Sequence, residues 1–222
     1  MIPLRIGLDM DGVLADFASA FREVEARLFG PAPDAPIEQP EEQEQRQERG
    51  MLEIRERSRG IWREIQATED FWRTLTPLEP RAVARLQALS IKYRWEVFFI
   101  TQRPPTAGDT VQRQTQRWLV EQGFELPSVL ALTGSRGAAI RALRLDYHLD
   151  DSIENCLDVL ADSTAKIIHV SPDPKEAASS RRLGIACVSG IGQALDILEQ
   201  ATMARDNPSL LRKLSSIVGW RL

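Results

Sequence analysis

The sequence predicts an α/β fold: a Rossmann-like, doubly wound parallel sheet with a small helical cap inserted after the first strand. Two observations predict it. Short apolar runs alternate along the chain with segments of helical periodicity, which favours parallel strands joined by right-handed helical crossovers. The alternation is interrupted once, by about 60 residues (18–77), which is far longer than an ordinary strand-to-helix connection.

The alternating elements lie on both sides of that interruption. The first predicted strand, 4–8, precedes it, and the remaining strands follow it at 96–100, 129–132, 147–149, 166–170 and 185–188. The predicted helices that separate or follow these strands are 80–93, 110–122, 137–143, 153–160, 174–183 and 191–204. Six strands with intervening helices are enough to cover both faces of one sheet.

The interrupting segment has its own helical character. A helical pattern continues from Phe17 to Phe29, and a proline-rich turn follows it. The stretch 38–49 is almost wholly Glu, Gln and Arg, and its composition allows either a solvated helix or a mobile loop. Apolar residues return at 61–65 and at 71–72. Because ligands bind at the carboxyl end of such sheets, we expect this insert to form a cap above that end.

These observations divide the chain into three predicted parts. Residues 1–17 and 78–206 form the Rossmann-like core, and residues 18–77 form the cap. Residues 207–222 are predicted to be a helical extension, because Asn-Pro-Ser precedes an apolar helical pattern. That helix either packs on the body of the protein or forms a homodimer contact.

Composition restricts the function classes. The net charge of −4 gives no electrostatic footprint for a nucleic-acid polymer. No apolar run is long enough to span a membrane, and no signal peptide is evident, so we expect a cytoplasmic protein. Cys156 and Cys187 lack metal-ligand spacing and are expected to be buried apolar residues. The same expectation, a place in the core, applies to His148 and His169.

Polar groups collect where the predicted strands end. Asp9 and Asp11 follow the first strand, Thr101 the second, Arg136 the third, and the pair Asp150-Asp151 the fourth. Because the carboxyl ends of parallel strands share one edge of the sheet, these groups should converge. Carboxylates at the end of a buried strand are unfavourable unless a metal or a reaction uses them.

Each of these residue types has a role in phosphoryl transfer. One carboxylate can attack phosphorus to form an aspartyl-phosphate, and a second can protonate the leaving oxygen and then activate water. Clustered carboxylates repel one another and call for a divalent cation, and oxygen ligands favour Mg²⁺. A hydroxyl and a basic side chain complete a cradle for phosphoryl oxygens.

The motif order resembles the haloacid dehalogenase (HAD) superfamily of phosphatases. The order is Asp-x-Asp-Gly, a strand-end Thr, a basic residue and Asp-Asp, and the position of the insert resembles the C1 cap class. Residues 9–17, Asp-Met-Asp-Gly-Val-Leu-Ala-Asp-Phe, are similar to the opening of the 5′(3′)-deoxyribonucleotidases. Residues 71–77 leading to 97–101 are similar to that family too.

The resemblance implies catalytic and metal-binding roles at the acidic residues. Asp9 would be the nucleophile and a Mg²⁺ ligand. Asp11 would be the general acid/base, with its main-chain carbonyl on the metal. Asp150 would ligate Mg²⁺, and Asp151 would act on it directly or through water.

The resemblance also implies a phosphate cradle and a substrate-binding side of the cap. Thr101, Gln102 and Arg136 would bind the phosphoryl group. Phe17 and Trp62 fall near the aromatic positions that hold the base in the nucleotidases.

Two departures from the family pattern bear on activity and on substrate. Arg136 stands where the family has lysine, and Arg is larger and binds phosphate differently. Gln102-Arg103-Pro104 stands where the nucleotidases have Ser-Pro after the strand-end Thr.

The predicted function is a Mg²⁺-dependent phosphatase acting on a small phosphate monoester, a (deoxy)nucleoside 5′-monophosphate, through an aspartyl-phosphate. Two alternatives remain open. One is a HAD phosphatase for a sugar or cofactor phosphate, since the cap sets specificity. The other, motivated by Arg136, is a weakly active or inactive protein that binds nucleotide or phosphoprotein.

Overall fold

The computed structural model describes residues 3–30 and 43–205. Its strands are β1 (Arg5–Asp9), β2 (Glu96–Thr101), β3 (Ser128–Ala131), β4 (Tyr147–Asp150), β5 (Lys166–Val170) and β6 (Ala186–Val188). Its helices are α1 (Phe17–Phe29), α2 (Gln43–Ala67), α3 (Ala82–Tyr93), α4 (Val111–Glu121), α5 (Arg136–Leu143), α6 (Ile153–Asp162), α7 (Pro174–Arg182) and α8 (Ile191–Ala204), with one 3₁₀ turn at Phe71–Arg73.

The strands form one parallel sheet in the order β3-β2-β1-β4-β5-β6. This confirms the predicted doubly wound α/β fold. The strands are buried on both faces, as crossover helices require: Ile6, Leu8, Phe99, Leu149 and Ile168 have no more than a trace of exposure. The predicted strands match the observed ones to within a residue or two.

The sheet order places β1 and β4 side by side at its centre. Chain connections leave β1 toward β2 and β3 on one side and β4 toward β5 and β6 on the other, so the topology reverses here. Ligands of open α/β sheets bind at the carboxyl ends of strands at such a reversal. Asp9 ends β1 and Asp150 ends β4, so the two meet at this point.

The two segments that connect the insert to the core, 14–16 and 76–78, lie side by side. The Asp16 amide donates to the Thr76 carbonyl and the Leu78 amide to the Leu14 carbonyl, each at 2.9 Å. Between these segments in the sequence lie α1 and α2, which are linked by an ion pair of Arg27 with Glu64 at 3.0 Å. The division into core and cap at residues 17/18 and 77/78 stays a prediction.

Three of the sequence predictions concern segments that the structure describes only in part or not at all. Of the Glu/Gln/Arg-rich stretch 38–49, the part from Gln43 onward is helical and belongs to α2. The rest of that stretch, the proline-rich turn and the predicted helix 207–222 lie outside the described residues. Within residues 3–30 and 43–205, none of the helices is both long and apolar enough to cross a membrane.

Candidate active site

Three carboxylates meet at the carboxyl ends of β1 and β4. Asp9, Asp150 and Asp151 each offer an oxygen, and these oxygens lie within 4.8 Å of one another. Asp9 is 6% exposed and Asp150 is fully buried. Such a cluster requires compensation by positive charge, because neighbouring buried carboxylates repel.

Arg136 supplies part of that compensation. Its side chain is 3% exposed, and its Nη1 atom lies 2.9 Å from Asp9 Oδ1 and 2.8 Å from Asp150 Oδ2. The residue is the first of α5, and the Ser135 hydroxyl caps that helix by accepting from the Ala138 amide at 3.0 Å. One guanidinium nitrogen therefore bridges two of the three clustered carboxylates.

Asp150 is held from several directions. Its Oδ1 accepts from the Ser152 amide and from Asn155 Nδ2, both at 3.0 Å. Its Oδ2 lies 2.9 Å from His148 Nε2. Burial lowers the pKa of His148, so the ring is neutral at pH 7 and Nε2–H donates to Asp150.

His148 lies in the core, as the sequence predicts, but it is also a partner of a clustered carboxylate. Its position two residues before Asp150 in one strand places both side chains on the same face, and that spacing is the signal that could have identified it. Asn155 lies on the first turn of α6, five residues after Asp150, and no sequence pattern pointed to it.

The charge of the cluster shifts the pKa of each carboxyl in its own way. Burial, followed by the charge of Asp150, raises the pKa of Asp9 to about 8. Burial and Asp150 likewise raise the pKa of Asp151 to about 6. Burial also opposes ionisation of Asp150, but the contacts with His148, Arg136 and the Ser152 amide prevail and hold its pKa below the ordinary value.

Asp151 packs against the turn that follows β1. Gly12 has a φ of +74°, and a Cβ at this position would lie 1.8 Å from Asp151 Oδ2. The glycine therefore serves both the turn and the close approach of the carboxylate.

The main chain at Asp151 has a contact of its own. The Asp151 carbonyl is 2.9 Å from His169 Nε2, and His169 Nδ1 is 2.7 Å from the Ser180 hydroxyl. The buried His169 thus fixes the main chain at Asp151.

Asp11 faces a different partner. Its two carboxylate oxygens lie 2.7 and 2.8 Å from Nη2 and Nε of Arg103. The Asp11 side chain is 25% exposed, whereas that of Arg103 is 1% exposed. The sequence comparison singled out Arg103 only as a departure from the nucleotidase pattern, and its contact with Asp11 was not predicted.

The other predicted phosphate-binding residues lie at the end of β2. Asp9 pairs in register with Ile100 of the neighbouring strand, so the buried Thr101 lies one residue beyond it at the same edge of the sheet. Gln102 follows, and its side-chain Nε2 donates to the Gly134 carbonyl at 2.9 Å. That contact turns the amide nitrogen toward the loop after β3, and a role for Gln102 in phosphate binding stays a prediction.

Phe17 and Trp62 belong to one aromatic cluster. Their rings are stacked with centroids 5.5 Å apart, and Phe17 also lies 5.5 Å from Trp72. Phe71 and Trp72 are almost fully buried, whereas Phe17 and Trp62 are half-buried. Trp72 in turn lies against Arg103, with the guanidinium carbon 4.8 Å from the ring centroid. The cluster is thereby connected to the Asp11 side of the site.

The donor set fits a hard divalent cation. Asp9, Asp150 and Asp151 present oxygen ligands alone, which is the donor chemistry of Mg²⁺ and Ca²⁺ sites. Two of the three carboxylates share the Arg136 guanidinium, and burial together with the charge of Asp150 raises the pKa of Asp9 and of Asp151. A divalent cation held by these three residues would offset their mutual repulsion and would neutralise charge on a phosphoryl group.

Two solved structures share this architecture over most of both chains. A candidate beta-phosphoglucomutase from Thermotoga maritima matches with a TM-score of 0.52 and 15% identity, over 88% of this chain and 98% of that one. A haloacid dehalogenase-like hydrolase from Streptococcus pneumoniae matches with the same TM-score and coverage at 12% identity. At these identities the likeness is one of fold.

The chain also matches a protein-family model, whereas no curated protein matches it in sequence. The model is that of the 5′ nucleotidase, deoxy (pyrimidine), cytosolic type C proteins, and it matches residues 2–179. The match spans β1 to β5 and includes all the acidic residues of the site as well as Thr101 and Arg136. The chain therefore belongs to this 5′-nucleotidase family and is a phosphomonoesterase built on the HAD fold.

Proposed function

We propose that the protein is a Mg²⁺-dependent phosphatase that hydrolyses deoxynucleoside 5′-monophosphates through an aspartyl-phosphate on Asp9. The observation that carries the proposal is the cluster of Asp9, Asp150 and Asp151 around the Arg136 guanidinium at the sheet's topological reversal. Family membership favours a nucleotide over a sugar or cofactor phosphate. That family is of the cytosolic type, which also supports a cytoplasmic location.

Asp9 is the candidate nucleophile because it ends β1 beside the Arg136 guanidinium, a charge that can bind a phosphoryl group. Its carboxylate oxygen attacks phosphorus, the bond from phosphorus to the substrate oxygen breaks, and the electron pair goes to that oxygen. Asp11 delivers a proton to the leaving oxygen. Asp11 then takes a proton from water, which attacks the phosphorus and releases Asp9 and inorganic phosphate.

Arg136, Thr101 and a divalent cation share the task of binding the phosphoryl oxygens. Arg136 already touches Asp9, so it lies within reach of a group bonded to that carboxylate. Asp9, Asp150 and Asp151 would hold Mg²⁺, which when bound offsets negative charge on the phosphoryl group and on Asp9. The raised pKa of Asp9 would fall toward its ordinary range under that charge.

The aromatic cluster is the proposed site for the nucleobase. Phe17 and Trp62 keep part of their rings accessible, and aromatic faces stack on bases of any sequence. Trp72 connects this cluster to Arg103 and Asp11. A nucleoside 5′-monophosphate would then bind with its base on the insert and its phosphate at the end of β1.

The test is a screen of phosphate esters with the wild-type protein and the D9N variant. Phosphate release is measured with deoxynucleoside 5′-monophosphates, sugar phosphates and cofactor phosphates, in Mg²⁺ and in chelator. We expect the wild-type protein to hydrolyse the nucleotides in Mg²⁺ but not in chelator, and we expect no hydrolysis by D9N under either condition. D16N is the matched control, because Asp16 caps α1 by accepting from the Ser19 amide and asparagine can do the same.

Each part of the proposal has its own contradicting outcome. Undiminished turnover by D9N would exclude the aspartyl-phosphate on that residue. Faster hydrolysis of sugar phosphates than of every nucleotide would exclude the substrate assignment and leave the phosphatase chemistry intact. Tight nucleotide binding with no phosphate release from any ester would favour the inactive binding protein.

A further inference from the structure

Arg103 is the only arginine besides Arg136 that is buried within the described residues, and it holds a single carboxylate with two nitrogens. Its Nε and Nη2 atoms contact the two oxygens of Asp11 at 2.8 and 2.7 Å. Two parallel hydrogen bonds of this kind fix the plane of a carboxylate as well as its position. A lysine at this site could supply charge but could not fix that plane.

The guanidinium is itself fixed on two further sides. Its Nη1 donates to the Thr115 hydroxyl in α4 at 3.1 Å, and its carbon lies 4.8 Å from the Trp72 ring centroid. Trp72 is anchored in turn, because its main-chain amide donates to Gln114 Oε1 at 3.0 Å and its indole donates to the Pro104 carbonyl at 2.9 Å. Helix α4, the loop after β2 and the insert therefore all restrain Arg103.

A buried ion pair of this kind contributes little to stability, because both charged groups must lose water to form it. Removing an arginine and a carboxylate from water is unfavourable, and an apolar pair of the same volume often stabilises a fold as well or better. Here the arginine is buried but the carboxylate is a quarter exposed. Asp11 lies two residues after Asp9, at the carboxyl end of β1. The restraint is thus directed at a partly exposed carboxylate that follows the candidate nucleophile in the chain.

We propose that Arg103 is a positioning residue that orients Asp11 for proton transfer to the leaving group and from water. The proposal rests on the proposed function and names a determinant of it. Arg103 touches no reacting atom. It holds the Asp11 carboxylate so that its accessible edge meets the substrate oxygen, which accepts the proton as its bond to phosphorus breaks and Asp9 becomes phosphorylated.

This role predicts a dependence on the leaving group. An alkoxide is a strong base and needs a proton as it departs, whereas 4-nitrophenolate departs without one. Benzyl phosphate and 4-nitrophenyl phosphate are similar in size and differ in this respect. The measured quantity is kcat/KM, because it covers the steps up to phosphorylation of Asp9 and excludes hydrolysis of the aspartyl-phosphate.

The experiment compares R103M, R103K and D11N with the wild-type protein on both substrates. In R103M we expect kcat/KM for benzyl phosphate to fall about 100-fold and that for 4-nitrophenyl phosphate to fall less than about 10-fold. D11N should show the same selectivity, and R103K an intermediate one. R113Q is the control, because Arg113 is an exposed residue of α4 that pairs with Asp109. The kcat/KM of R113Q should stay at the wild-type level for both substrates.

The outcomes separate this role from the function on which it rests. Equal loss on both substrates in folded R103M, or no loss on either, would overturn the positioning role and leave the phosphatase assignment standing. If R103M does not fold, R103K decides by the same ratio of losses. Failure of the wild-type protein to hydrolyse any phosphate ester would overturn the proposed function, and the role of Arg103 with it.

Discussion

At the scale of single residues, Arg136 stands where the family has lysine, but its contacts differ little from those that a lysine could make. The guanidinium usually acts as a planar fork, yet Asp9 and Asp150 are both contacted by the same nitrogen, Nη1. A single nitrogen between two carboxylates is a geometry that an ammonium group can reproduce. The contacts of Arg136 with the acidic cluster are therefore those of a point charge.

This geometry predicts different results for two substitutions of Arg136. R136K should keep turnover within about tenfold of wild type, because one ammonium can satisfy both carboxylates. R136M leaves two buried carboxylates without their cation, so its free energy of unfolding in chelator should drop by about 3 kcal/mol. Mg²⁺ should restore part of that loss. Urea unfolding with and without Mg²⁺, together with phosphate release, measures these effects.

The control for this comparison is R85Q, which removes an exposed ion pair with Asp196 and should change stability by less than about 1 kcal/mol. If R136K were as inactive as R136M, the other nitrogens of the guanidinium would have to be needed as well, although Nε has no hydrogen-bond partner in this structure.

At the scale of elements, the sequence predicted the strands more completely than the contacts between them. Runs such as 97–100 and 167–170 are largely buried on both faces, and mostly apolar runs of this length mark such strands directly. Helix α2 was not predicted as one helix of 25 residues, because its first seven residues are Glu, Gln and Arg without an apolar stripe. Composition alone left those residues open.

The acidic residues of the site were predictable for the same local reason, whereas their partners were not. Asp9 and Asp150 follow apolar runs in the sequence, so they could be found one strand at a time. The contacts of Arg103 with Asp11 and of His169 with the Asp151 carbonyl join residues 92 and 18 positions apart. Only the assembled sheet brings such pairs together.

The turn after β1 supports a prediction about Gly12. G12A should strain the main chain at its φ of +74° and should also displace the Asp151 carboxylate, which lies where the new Cβ would be. We expect a loss of about 2 kcal/mol in the free energy of unfolding and at least a tenfold weaker affinity for Mg²⁺. Calorimetric titration of Mg²⁺ into the variant measures the affinity.

Gly30 provides a matched control for that substitution. It has the same φ of +74°, but a Cβ there would have no atom within 4 Å. G30A therefore reproduces the backbone strain without the displacement of Asp151, and its Mg²⁺ affinity should equal that of wild type. Equal affinities in G12A and G30A would mean that Asp151 does not help to hold the metal.

At the scale of the whole molecule, main-chain hydrogen bonds join the insert to the core at two places among the described residues. At the first, the connecting segments 14–16 and 76–78 are hydrogen-bonded to each other. At the second, the Ala107 main chain accepts from the Asp70 amide at 2.9 Å and donates to the Gln66 carbonyl at 2.8 Å. This second fastening joins the end of α2 to the loop that carries Arg103. The aromatic cluster is thereby held in a fixed relation to Asp11.

That relation predicts how Trp62 contributes to substrate binding. If the half-buried ring stacks on the nucleobase, W62A should raise KM for a deoxynucleoside 5′-monophosphate by about tenfold, since stacking on one base contributes about 1–3 kcal/mol. Deoxyribose 5-phosphate lacks the base, so its KM should not change. W62F keeps an aromatic face against Phe17 and should lie close to wild type on both substrates. An equal rise in KM for both substrates would assign Trp62 to the packing of α1 against α2, and would move the nucleobase away from this cluster.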